Sequence, residues 1–130
     1  MTSDKPAKSG REIEREITKD QVGVIYRWAI ETLGINNTDL AQAMRVSPET
    51  ISRWLRGNTM PYPKNIQKIN TLGDFQYICS KVFVTPEDTG RWMRKRVSVL
   101  NGQTPMFYFL YGDLEGLISV LATIESGAFI

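Results

Sequence analysis

The sequence has no histidine and a single cysteine, Cys79, among its 130 residues. An intramolecular disulfide is therefore impossible, and zinc sites of the Cys/His type are excluded. The commonest general base of enzymes is missing too, and no paired-carboxylate or phosphate-cradling motif stands in for it. The chain is thus expected not to be an enzyme and to need no cofactor or metal. No stretch approaches the roughly 20 apolar residues of a membrane span, and MTSDKPAKSGRE lacks the apolar core of a signal peptide. A soluble protein of a reducing cytoplasm is the expectation. What is present is ordinary for a globular domain, 42% hydrophobic and 23% charged, at a length that suits one domain or two small ones sharing a core.

The net charge of +2 is unevenly spread. Residues 1–20 carry five basic and five acidic side chains, 21–70 six basic against three acidic, and 71–130 five basic against six acidic. The middle segment is therefore the one suited to an anionic partner.

Helical spacing dominates. Residues 1–19 read as a flexible tail, with Ile13 and Ile17 able to form a turn or two of helix. From Asp20 the apolar positions Val22, Ile25, Trp28, Ala29, Thr32 and Leu33 predict an amphipathic helix closed by Gly34. Met60 to Pro63 is a loop, because residues before prolines avoid the α region. Ile66, Ile69, Leu72, Phe75, Ile78 and Phe83 predict a long helix interrupted in propensity by Gly73. Thr85-Pro86-Glu87-Asp88 starts another, running through Trp92 to Arg96; Thr104-Pro105 starts a third, ended by Gly112; Asp113 caps a fourth that continues to Gly127. No strand pair with a hairpin turn is visible, so the fold class is all-α. Cys79, among Phe75, Ile78 and Val82, reads as a small buried hydrophobe, and Trp28 and Trp54 as core.

Between these lies NNTDLAQAMRVSPETISRWLRG, residues 36–57. Asn36 with Asp39 makes a capping-box-like start, and Leu40, Ala41 and Met44 form one apolar face. After Arg45-Val46, Ser47 caps a second short helix with Pro48 at its first position and Ile51, Trp54 and Leu55 inward. Two short helices, a tight turn and the small Ala41 at their crossing resemble the helix-turn-helix of the Xre and phage-repressor type, from Val22 to about Leu72. That resemblance implies a second helix lying in the major groove of double-stranded operator DNA. Arg53 can then bridge the two acceptors of guanine, Glu49 can accept from cytosine, and Thr50 and Ser52 can bond either way or touch a thymine methyl, with Ser47 exposed on the same DNA-facing side. Arg56, Arg45 and the amides near Asn37 suit phosphate. Arg45 stands where the family usually has Gly. An Arg at positive φ costs of order 1 kcal/mol, which leaves a differently wound turn open.

A second spaced pattern follows: Trp92, Leu100-Asn101-Gly102, Thr104-Pro105, Gly112, Glu115-Gly116, Val120, Ile124 and Gly127. It is similar to the toxin-binding domain of the MbcA/ParS/Xre antitoxins, over roughly Thr89 to Ile130. The resemblance implies residues 20–83 as a DNA-binding domain with a long linking helix and 84–130 as a toxin-binding domain. It further implies a bacterial antitoxin of a type II system, dimeric or assembled with its toxin. Such a protein binds a RES-type toxin that consumes NAD or transfers ADP-ribose, and represses its own operon. The candidate partner face is Trp92, Phe107, Tyr108, Tyr111, Phe129 and Ile130. Phe107, Tyr108 and Phe109 replace what is usually a lighter mix. A helix apolar on every side must be covered on every side: either an interface covers it, or it glues the C-terminal helices to the long helix around Phe75. The alternative function is a stand-alone helix-turn-helix regulator whose C-terminal part only dimerises.

Overall fold

In the computed structural model the described residues are 18–57, 61 and 63–127. They form seven α-helices: α1 (Lys19–Leu33), α2 (Asn37–Met44), α3 (Pro48–Leu55), α4 (Pro63–Val82), α5 (Pro86–Met93), α6 (Pro105–Tyr111) and α7 (Leu114–Glu125), with a 3-10 turn at Ser98–Leu100. No strand occurs among the described residues, so the all-α expectation holds. Of the tail expected over residues 1–19, residues 1–17 lie outside the described residues, as do Met60 and Tyr62 of the loop and Phe129 and Ile130; Lys19 opens α1 instead.

The boundaries follow local chemistry. Thr18, Asn36 and Thr85 each form a capping box with the residue three positions on, and Ser47, Thr104 and Asp113 each accept an amide hydrogen bond at the start of their helices. At Gly34 and Gly112 the chain turns out of a helix at φ 70° and 93°, a backbone region that costs glycine nothing.

Helix α4 is the spine. It buries Ile69, Leu72, Phe75 and Cys79 and packs most extensively against α7, which supplies Leu114, Leu117 and Leu121. The Phe75 ring meets Trp28 of α1 edge-on at 6.0 Å and Phe109 of α6 at 6.1 Å. The core is continuous across residues 83–84. Both halves of the chain are stabilised by the same apolar burial.

Two expectations need correction. Helix α5 stops at Met93 rather than reaching Arg96. The Arg94 guanidinium is drawn to the Leu33 and Gly34 carbonyls, at 2.8 and 3.2 Å, and Val97 N–H donates to the Gln103 carbonyl to close the following turn. The buried stripe of α1 is also rotated. Val22, Tyr26, Ala29 and Leu33 are fully enclosed, whereas Ile25, Trp28 and Thr32 are half-buried.

Tyr26 was no part of the expected core, yet it is completely enclosed under Trp54, ring centroids 5.6 Å apart. Among the described residues its hydroxyl has no hydrogen-bond partner, and burial pushes its phenol pKa upward. An unsatisfied buried hydroxyl costs about 1–3 kcal/mol. Tyr26→Phe should therefore raise the melting temperature by a few degrees, measured by thermal circular dichroism; a fall of similar size would show that the hydroxyl is hydrogen-bonded in solution.

Candidate nucleic-acid interface and partner face

The α2–α3 pair is built as its sequence dictates. Asn36 Oδ1 accepts from Asp39 N–H at 2.8 Å, which fixes the start of α2. Leu40, Ala41 and Met44 turn inward, and Val46 N–H bonds back to the Ala41 carbonyl at 3.0 Å. In α3, Ile51 and Trp54 are buried and Leu55 is half-buried. The opposite face is left for solvent or a ligand: Ser47, Glu49, Arg53 and Arg56 are exposed, and Thr50 and Ser52 are half-buried.

Not all of these side chains are equally available. Ser47 Oγ accepts from Thr50 N–H at 3.1 Å and shares a 2.8 Å bond with the Thr50 hydroxyl, so both are committed to the cap. Asn37 Nδ2 donates to Ser52 Oγ at 3.1 Å, tying the first residue of α2 to the outer face of α3. Glu49 and Arg53, one turn apart, remain as the long side chains presented outward. Arg56 follows at the helix end.

Arg45 decides what the sequence left open. The turn is wound in the left-handed way, with Arg45 at φ 58°, ψ 47°, a conformation glycine would adopt without strain. Its guanidinium also has an employer that sequence reading missed. Nη2 donates to the Tyr111 carbonyl at 3.0 Å, and Gln42 Nε2 donates to the Leu110 carbonyl at 3.3 Å. Two carbonyls at the α6 C-terminus, which helix geometry leaves open, are thus served by the helix-turn-helix. Local sequence holds no signal for pairs 66 and 68 residues apart.

The partner-face candidates divide. Phe107 and Tyr111 come together on the surface, 48% and 69% exposed, their rings stacked at 6.2 Å and 10°. Tyr108 lies beside them, half-buried, with its hydroxyl donating to the Leu100 carbonyl at 3.2 Å. Trp92 instead packs on Phe83 at 5.6 Å and fastens α5 to the end of α4. Phe109 is fully enclosed against Phe75. The apolar run of α6 is therefore glue on one side and an exposed aromatic pair on the other.

Cys79 is buried, and burial pushes its thiol pKa up to about 12. Among the described residues no group of three His, Cys, Asp or Glu could hold a metal ion, and no helix is long and apolar enough to cross a membrane.

Residues 27–72, which include the α2–α3 pair, match the helix-turn-helix family. Beyond that match, the chain is similar to mycobacterial cidal antitoxins. It is 24% identical over 102 residues to a probable mycobacterial cidal antitoxin of Mycobacterium tuberculosis, covering 78% of this chain and 86% of that protein. It is also 24% identical over 104 residues to the mycobacterial cidal antitoxin MbcA of Mycobacterium bovis, covering 78% and 89%. Among solved structures it resembles a chain of the M. tuberculosis MbcT–MbcA toxin–antitoxin complex, with a TM-score of 0.62 at 20% identity over 84% of this chain and 97% of that one.

The exposed face of α3 makes a definite expectation. Arg53→Ala should weaken binding to a duplex selected from random sequence by about 1–3 kcal/mol, and leave binding to unselected duplex nearly unchanged. Equal losses on both, measured by fluorescence anisotropy, would assign Arg53 to phosphate only.

Proposed function

We propose that this protein is the antitoxin of a type II toxin–antitoxin pair that also represses its own operon through its helix-turn-helix. The observation that carries this reading is similarity to antitoxins over 78% of the chain, more than the helix-turn-helix match at 27–72 accounts for. In this reading α3 enters the major groove of operator DNA, with Glu49 and Arg53 toward base edges and Arg56 toward phosphate. The toxin is of the RES type, consuming NAD or transferring ADP-ribose, and it docks on the surface that includes Phe107, Tyr108 and Tyr111. Aromatic residues are enriched at the centres of interfaces, which supports that placement, and the similar chain of the M. tuberculosis MbcT–MbcA complex was solved with a toxin, which supports a toxin partner. A homodimer or a hetero-oligomer with toxin is the assembly. The chain itself performs no chemistry, and its thiol, buried and held protonated, is unsuited to nucleophilic work.

The shared core rules out truncation as a test, because removing α7 uncovers the α4 spine. Point changes are cleaner. Co-expression with the product of the adjacent reading frame should rescue growth and yield a stable complex. Phe107→Ser with Tyr111→Ser should lose both without changing the melting curve, since both side chains are exposed. Rescue by the double variant equal to that by the parent would move the docking site elsewhere. No toxic neighbour and no complex would favour a stand-alone regulator.

A further inference from the structure

Arg91-Trp92-Met93-Arg94-Lys95-Arg96 packs four cations into six residues, and the next acid in the chain is Asp113. The slight acidic excess of residues 71–130 as a whole conceals this run. Arg91 is paired with Asp88. Arg94, Lys95 and Arg96 are exposed, and their place in the fold is fixed by Arg94, whose guanidinium reaches the Leu33 and Gly34 carbonyls at 2.8 and 3.2 Å. These carbonyls end α1, where the helix dipole is negative and a cation is favoured. The seat is close: a Cβ placed on Gly90 would lie 3.1 Å from the Thr32 carbonyl.

That seat matters for what comes next in the chain. Two residues after Gly34 stands the Asn36 cap, and α2 begins at Asn37. In helix-turn-helix docking the first helix of the pair crosses the duplex backbone, and the amides at its N-terminus face phosphate. Lys95 and Arg96 directly follow the residue that is seated on the end of α1, two residues before the Asn36 cap. Arg96 spends one N–H on the Gly102 carbonyl, at 3.0 Å, and keeps further donors.

We infer that Lys95 and Arg96 extend the DNA-binding surface into the C-terminal half, contacting backbone phosphates that flank the bases faced by α3. The inference rests on the DNA reading above. Adjacent like charges repel, and a polyanion crossing them relieves that repulsion and releases counterions, whatever its sequence. The partner is thus duplex phosphate rather than base edges.

Salt dependence tests it. For the full chain on unselected duplex DNA, the slope of log affinity against log salt should fall by about 0.9 per phosphate contact removed, hence by about two units in Lys95→Gln with Arg96→Gln. A position-specific measurement separates contact from mere loss of charge. Cys79 is buried, so Lys95→Cys can be derivatised selectively with a photo-crosslinker. It should label duplex DNA, whereas Ser119→Cys on the exposed side of α7 should not. An unchanged slope, or labelling from neither or both positions, overturns the inference and leaves the cluster to a protein partner. Absence of any salt-dependent duplex binding by the parent protein is a different failure: it removes the DNA reading and this inference together.

Discussion

The packing of Phe75 between Trp28 and Phe109 holds the molecule in one piece. Three rings from α1, α4 and α6 meet there, and truncating a buried Phe typically costs about 3–5 kcal/mol. That is a large share of the stability of a chain this size. The consequence is organisational. A long helix that also serves as core cannot act as a flexible linker, because bending it would open the contacts of α1, α6 and α7 at once. The helix-turn-helix and the aromatic face of α6 are consequently held in a fixed relation by apolar burial, not by proximity in sequence.

Much of this was legible in the sequence because it is locally encoded. The boundaries of α2, α3, α6 and α7 follow from Asn36, Ser47, Thr104 and Asp113 in front and from turn-forming residues behind, and a cap is decided within a few residues. The face of α1 was less legible. Its apolar residues fit two stripes about a residue apart, and it is the packing of Trp54 on Tyr26, from outside the helix, that marks the buried one. The end of α5 was missed for a similar reason. Helical propensity continues past Met93, and the competing attraction of the Leu33 and Gly34 carbonyls for Arg94 comes from 60 residues away. In the candidate site, the outward residues of α3 could be read from periodicity, whereas the commitments of Ser47, Thr50 and Asn37 to internal hydrogen bonds could not. Charge totalled over long segments likewise blurred the cluster at 91–96.

Arg45 shows how a departure from a local rule can be compensated at a distance. Glycine would adopt the left-handed turn without strain, and Arg there costs of order 1 kcal/mol. A hydrogen bond from a charged donor contributes about 1.5–3 kcal/mol when buried, and less here because the side chain is exposed. The two effects are therefore of similar size, and the turn is not the weak point its sequence implies. What the exchange achieves is connection. The Tyr111 carbonyl lies at the end of α6, next to the ring stacked on Phe107, and it is held by a side chain rooted in the turn that aims α3. With Gln42 gripping the neighbouring carbonyl, any tilt of α6 must either break these two bonds or move the turn with it. The turn that precedes α3 and the end of α6 that carries Tyr111 are thus joined by two side chains that no sequence window would pair.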